Sequence, residues 1–146
     1  MQIEPFGQRM IVLLPQLMRG FSRRESNYLS QGKMTLPQLW ALEYLSDHPA
    51  CPTNELARFL RISRPAVTGL TDRLVAQGWV RRLHDPHDRR MIRLEATRKG
   101  RLIFNSVWNE KKKQLMRVFE HLSAQERSRY IATLEKVAAI LSKETD

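Results

Sequence analysis

Apolar positions recur along the chain with mostly helical spacing. The first apolar stripe covers residues 6–21 and contains Pro15, which should kink the predicted helix or split it. A second helix is predicted to begin at Thr35, which has capping-box spacing with Gln38, and to end before Pro49. The first third of the chain is therefore predicted to form two helices.

Two short helices separated by a brief turn are predicted next. Thr53 should cap the third helix, and residues 61–62 separate it from the fourth. Ser63 should cap the fourth helix, which is predicted to run to about Gln77, before Gly78 in a left-handed conformation. Two such helices joined by so short a turn indicate a helix-turn-helix.

The spacing then changes to that of strands. Residues 79–83 and 91–96 are predicted strands, and residues 84–90 between them are charged and turn-forming. A hairpin directly after a helix-turn-helix is a wing. Thr97 should cap a long fifth helix and Ser123 a sixth. The predicted fold is mainly α with a small β-hairpin, a winged helix-turn-helix in the order α-α-α-α-β-β-α-α.

The charge of the chain is concentrated in its middle. The formal net charge is +10 and the pI about 10.5. Residues 61–93 hold eight Arg, no Lys and three Asp, and residues 94–117 hold seven basic and two acidic groups. The planar fork of Arg suits bidentate contacts to phosphate and guanine. This pattern indicates a nucleic-acid partner, and a solvated basic surface without a partner is the alternative.

Several other classes of protein fit the sequence poorly. The longest apolar run, residues 10–14, is far shorter than the about 20 residues of a membrane span. Glu4 precedes any basic residue, unlike in a secretory signal, and a single cysteine allows no intrachain disulfide. We therefore expect a cytoplasmic protein without membrane contact. The sequence contains no Gly-rich phosphate loop, G-x-S-x-G or H-E-x-x-H motif, so we expect no enzyme, cofactor or metal.

Two motifs and the residues after them carry a family resemblance. Residues 71–82 read TDRLVAQGWVRR and residues 85–90 read DPHDRR. Together with Leu94, Thr97 and Gly100, they make the chain similar to the MarR (multiple antibiotic resistance regulator) family. The sequence departs from the family pattern at Gly69, inside the presumed recognition helix, and at Glu95–Ala96.

The resemblance implies a single domain, 1–146, that works as a homodimer on a pseudo-palindromic double-stranded DNA operator. Residues 35–97 would form the winged helix-turn-helix, and residues 1–34 and 98–146 would form the dimerisation helices. The apolar terminal helices agree with this independently, because they would expose more apolar surface than one small domain can cover.

The fourth helix should lie in the major groove with its N-terminal end toward the bases, and the wing should meet the minor groove. The residues expected to face DNA are Ser63, Arg64, Pro65, Thr68, Arg73, His87, Arg89 and Arg90. Asp88 and Asp72 are expected to orient arginines of the wing, with Asp72 holding Arg90. The alternative is that both aspartates only shape the turn.

The expected function is sequence-specific regulation of transcription, as a repressor released from its operator by a small molecule. By resemblance, an aromatic or phenolic acid would bind between the helical region and the winged domain. The aromatic candidates for this pocket, which also fit a structural core, are Trp40, Tyr44, Phe104 and Trp108.

Three other functions stay open. Cys51 would be the sensor of a redox-responsive regulator, although no basic residue adjoins it in sequence. The cluster of His84 and His87, or the pair His48 and Cys51, would serve a metal-responsive regulator, although no complete set of four ligands is present. The third alternative is a basic architectural protein that binds DNA without sequence preference.

Overall fold

The computed structural model of the chain describes residues 1–22, 29, 31, 33–88 and 90–143. These residues form six helices and three short strands, in the predicted order apart from one added strand. The elements are α1 (Ile3–Ser22), α2 (Leu36–Asp47), β1 (Cys51–Pro52), α3 (Thr53–Leu60), α4 (Arg64–Ala76), β2 (Val80–His84), β3 (Ile92–Ala96), α5 (Arg98–Phe119) and α6 (Ala124–Lys143). The chain divides into two compact units, Met1–Lys111 and Lys112–Asp146, and no helix in the described ranges is long and apolar enough to cross a membrane.

Polar side chains begin most of the helices as the sequence predicts. Thr35 and Gln38 form a reciprocal capping box at α2, and Ser63 Oγ accepts a hydrogen bond from the Ala66 amide at the start of α4. Ser123 Oγ likewise accepts from the Glu126 amide before α6. Each of these bonds satisfies an amide that the helix itself leaves unpaired, which fixes the residue at which the helix begins.

Two expectations about the helices are wrong. Helix α1 passes through Pro15 as one helix, so the stripe is not split there. Thr53 does not cap α3. Pro52 occupies the cap position without a side-chain hydrogen bond, and the Thr53 hydroxyl instead donates to the carbonyl of Ile92 on β3 at 3.3 Å. Because β3 runs beside the start of α3, a sheet carbonyl is available to this hydroxyl.

The sheet has three antiparallel strands in the order β1-β3-β2. The hairpin of β2 and β3 pairs Arg81 with Glu95 and Val80 with Ala96. Strand β1, which pairs Cys51 with Leu94, was not predicted, because two residues show no alternation of apolar and polar positions. The wing is therefore attached to the chain before α3 as well as to the end of α4.

One apolar core holds the Met1–Lys111 unit together. It combines leucines of α2 and α3 with residues from one face of α4, the sheet and the first half of α5. Its largest fully buried members include Leu39, Leu42, Leu45, Leu56, Val67, Leu74, Val80, Leu94 and Val107. The side chains that reach this core from α4 leave the opposite face of that helix in solvent.

The end of α4 and the start of α5 are joined at one point. Gly78 has the predicted left-handed backbone, with φ of 72°, and Trp79 after it is buried. The Thr97 hydroxyl donates to the Gly78 carbonyl at 2.7 Å and accepts from the Gly100 amide at 3.0 Å, while the Thr97 amide donates to the Trp79 carbonyl at 2.9 Å. Thr97 therefore caps α5 and ties it to the chain leaving α4.

Asp85 anchors the wing. Its side chain is 6% exposed and accepts from the amides of His87 and Asp88 at 2.8 and 3.1 Å and from Arg93 Nε at 2.5 Å. Arg93 in turn donates to the carbonyl of Ala50, just before β1, at 3.0 Å. The amide bond from His87 and the bond from Arg93 lower the pKa of Asp85 to about 2. The carboxylate is thus ionised at neutral pH, and it holds the wing turn to the sheet.

We predict that Gly100→Ala strongly destabilises the protein. A Cβ atom at residue 100 would lie 2.0 Å from the carbonyl oxygen of Trp79, and this backbone is fixed by Thr97. The loss should be roughly 3 kcal/mol or more, which lowers the thermal midpoint by on the order of 10 °C. The measurement is thermal unfolding followed by circular dichroism.

The matched control is Gly69→Ala, also a helical glycine but with open space around the added Cβ. It should raise the midpoint by a few degrees, since alanine is favoured over glycine inside a helix by about 0.5–1 kcal/mol. Equal midpoints for the two variants would show that the close approach at Gly100 does not constrain the fold.

Candidate nucleic-acid interface

One exposed face of α4 carries most of the residues predicted to contact DNA. Val67, Thr71 and Leu74 are buried on the opposite face. The structure places Ser63, Arg64, Pro65, Thr68 and Arg73 in solvent, as expected for the reading face of a recognition helix. The Thr68 hydroxyl donates to the Arg64 carbonyl at 2.9 Å, so toward an outside partner it is oriented as an acceptor.

Gly69 lies in the middle of this face. A Cβ there would meet nothing within 4 Å, so the glycine leaves open space and is not required by packing. Beside it lies a shallow depression of about 340 Å³ between the first residues of α2 and the exposed side of α4. Side chains able to contact DNA therefore flank Gly69, with Arg64 and Thr68 before it and Arg73 after it.

The partner of Asp72 differs from the one predicted. Asp72 forms an ion pair with Arg82 of β2, and not with Arg90. Helix α4 packs against β2, so its third turn lies near the base of the hairpin, whereas Arg90 lies at the wing turn. Asp72 thus connects the recognition helix to the first strand of the wing.

Asp88 also acts differently from the expectation. Its carboxylate accepts the backbone amide of Arg90 at 2.9 Å, which shapes the turn and leaves the Arg90 side chain in solvent. The alternative reading of Asp88, that it only shapes the turn, describes this contact. His87 is likewise exposed, and Arg89 lies outside the described residues.

Sequence reasoning missed the arginines that stabilise the wing. Arg81 pairs with Glu95 across the hairpin, Arg82 with Asp72, and Arg93 with Asp85. The register of a hairpin would have found the first pair, because Arg81 and Glu95 lie directly opposite each other. It also explains why Glu95 stands where the family pattern has an apolar residue.

The residues considered for redox or metal sensing have structural contacts. Cys51 is buried, and burial raises the pKa of its thiol to about 11, so the reactive thiolate is scarce at neutral pH. His48 Nδ1 lies 2.9 Å from the carbonyl oxygen of Tyr44. Over the described ranges, no three His, Cys, Asp or Glu side chains are grouped as metal ligands would be. His84 and His87 are both exposed.

The four aromatic residues considered for an effector pocket fall into two groups. Tyr44 stacks on His48 and on Phe59, with ring centroids 4.0 and 4.2 Å apart, and its hydroxyl donates to Glu55 at 2.7 Å. Phe104 stacks on Trp108 at 5.8 Å. Trp40 and Trp108 are each 47% exposed, so neither is a core residue within one chain.

Comparisons with known proteins agree with this architecture. Residues 33–91 match the sequence model of the MarR family. The chain is 32% identical over 94 residues to an uncharacterized helix-turn-helix transcriptional regulator of Bacillus subtilis, YfiV, and the match covers 64% of this chain and 59% of YfiV. The chain thus spans about three-fifths of the length of the first curated relatives that it matches.

Among solved structures, that of Streptococcus pneumoniae FabT in complex with DNA has a TM-score of 0.80 at 19% identity, covering 94% of this chain and 99% of FabT. This likeness concerns the fold. The multiple antibiotic resistance protein MarR of Salmonella typhimurium is 30% identical over 135 residues, which cover 92% of this chain and 88% of MarR. Sequence model, relatives and fold agree, and this chain belongs to the MarR family of winged helix-turn-helix transcriptional regulators, which are not enzymes.

Proposed function

We propose that the protein binds a specific double-stranded operator and represses transcription from it. The observation that carries the proposal is the exposed face of α4, where Arg64, Thr68 and Arg73 stand free of acidic partners over the described residues. Such a face fits the major groove, and the exposed Arg90 on the wing fits the adjacent minor groove. The neighbouring structure of FabT was solved with DNA, which supports the same use of this fold. We place this activity in the cytoplasm, in the intact regulator.

The active form that we propose is a homodimer. Apolar side chains of α1, including Ile11, Leu14 and Leu17, are largely exposed in the single chain. In the Lys112–Asp146 unit, the exposed apolar residues of α6 are Tyr130, Ile131, Leu134, Val137, Ile140 and Leu141. A groove of about 400 Å³ beside them is lined by Leu115, Met116, Phe119, Glu120 and Arg127. A second copy would remove this apolar surface from water and set two reading heads on two half-sites.

We further propose that an aromatic or phenolic acid releases the protein from its operator. The half-exposed rings of Trp40 and Trp108 offer flat apolar surfaces to such a ligand. Release requires the ligand to bind the DNA-incompetent form more tightly, and a tenfold loss of DNA affinity corresponds to about 1.4 kcal/mol of coupling.

The DNA-binding proposal is tested by separating the two contacting elements. The operator is first isolated by selecting bound fragments from genomic DNA. Arg64→Ala should then lower the ratio of operator to random-DNA affinity by about 10- to 100-fold, because a bidentate base contact carries roughly 1–3 kcal/mol of discrimination. Arg90→Ala should weaken binding to both DNAs alike and reduce the log–log salt slope by about one.

A wild-type protein that binds operator and random DNA equally would contradict sequence-specific regulation and favour the architectural alternative. A specific protein gains about 10³-fold or more on its site.

The dimer is tested by Leu134→Asp, which places a charge within the exposed stripe of α6. Sedimentation equilibrium should report twice the chain mass for the wild type and a shift toward the single-chain mass for the variant. Met91→Asp, at a comparably exposed apolar side chain outside the terminal helices, is the control for the added charge. It should leave the mass unchanged. A wild type that sediments as a folded monomer at micromolar concentration would refute the dimer.

The effector is tested by titrating a panel of phenolic carboxylates into the protein–operator complex. At least one member should lower operator affinity about tenfold. Trp40→Phe or Trp108→Phe should weaken that response while keeping the affinity of the ligand-free protein. The remaining tryptophan, Trp79, is 3% exposed, so its fluorescence should not respond to the ligand. Operator affinity that stays constant across the panel and responds to peroxide or zinc would instead favour Cys51 or the histidines.

A further inference from the structure

Arg61, in the turn of the helix-turn-helix, has an unusual backbone conformation. Its φ of 54° and ψ of 43° are left-handed, and within the described residues Ala50 is the other non-glycine with a positive φ. A side chain with a Cβ is disfavoured in this region, which glycine and asparagine adopt far more readily. The sequence therefore keeps a poorly suited residue at the point where α3 ends.

The turn itself requires the conformation but not the arginine. With the left-handed residue in place, the amide of Arg61 donates to the Arg58 carbonyl at 3.2 Å, and the amide of Ile62 donates to the Ala57 carbonyl at 3.1 Å. These bonds close α3 and bring Ile62 against the apolar core, just before Ser63 begins α4. All of them are backbone contacts, and glycine or asparagine would make them equally well.

The surroundings of Arg61 indicate what its side chain does. It is exposed and lies two residues before Ser63, beside the end of α4 that faces DNA in the proposed function. Arg81, Arg82 and Arg93 are each paired with a carboxylate, whereas the guanidinium of Arg61 has no hydrogen bond or ion pair within the part of the chain that the structure describes. In a docked helix-turn-helix, the helix before the recognition helix crosses the DNA backbone, so this turn lies over phosphates.

We propose that Arg61 is a further DNA-contacting residue, which binds a backbone phosphate at the edge of the major groove and so fixes how α4 enters it. The proposal rests on the DNA binding proposed above. A structural alternative exists, because a cation at the C-terminal end of α3 interacts favourably with the helix dipole. Arg58 already supplies a basic side chain in that last turn.

The test compares Arg61→Asn, Arg61→Lys and Arg129→Asn in the full chain. Asparagine fits the left-handed backbone, so Arg61→Asn should keep or raise the thermal midpoint while lowering affinity about tenfold, equally for operator and random DNA. It should also reduce the log–log salt slope by about 0.9. Arg61→Lys should retain most of the affinity and the slope. Arg129→Asn removes the same charge from exposed α6 and should leave the slope unchanged.

Three results would overturn the assignment. A lower midpoint for Arg61→Asn with unchanged DNA affinity would mean that the arginine serves the dipole of α3. A loss confined to the operator would mean that it reads a base and not a phosphate. An equal loss in Arg129→Asn would mean that only net charge matters. A wild type that binds no DNA would refute the proposed function itself, which these four proteins distinguish from a failure at Arg61 alone.

Discussion

The structure depends on the close approach of two backbone segments, at Gly78–Trp79 and at Thr97–Gly100. Because glycine at position 100 leaves no Cβ, the first turn of α5 can rest directly on the Trp79 carbonyl. The Thr97 hydroxyl then satisfies Gly78 and Gly100 at once, as donor to one and acceptor from the other. The recognition helix ends, the wing closes and α5 begins within this one set of contacts. A movement of α5 is thereby transmitted to the end of α4 without a flexible linker.

The arginines between residues 61 and 93 serve two different purposes. Arg81, Arg82 and Arg93 form ion pairs that connect the two strands of the hairpin, the hairpin to α4, and the wing turn to the sheet. Those partly solvated pairs add orientation more than stability, since exposed ion pairs contribute little free energy. Composition alone therefore overstates the charge available to DNA, and the unpaired arginines of α4 and of the turns are the ones that matter for binding.

Local rules predicted the parts of the structure that depend on neighbouring residues in sequence. The caps at Thr35, Ser63, Thr97 and Ser123, and the left-handed Gly78, follow from hydrogen bonds between residues at most three apart or from backbone sterics. Errors arose where the partner is distant in sequence. Thr53 found a carbonyl 39 residues away, and the partner of Asp72 depends on how α4 packs against the sheet.

The reading face of α4 was predicted for the same reason, since helical spacing alone separates its buried side from its exposed side. The Asp85–Arg93–Ala50 connection was out of reach, because it joins residues more than forty positions apart through a buried carboxylate. The conformation of Arg61 also has no sequence signal, as arginine is not a residue that marks a left-handed turn.

The small sheet has a further consequence for how the protein behaves in a crowded solution. Its outer strands are β1 and β2, and an outer strand exposes amides and carbonyls that can recruit a strand from another molecule. Strand β1 is only two residues long and ends in Pro52, which has no amide to donate. Strand β2 carries Arg81 and Arg82, whose charges disfavour stacking against a like strand. Both borders are thus guarded against edge-to-edge aggregation, and association is left to the apolar helices.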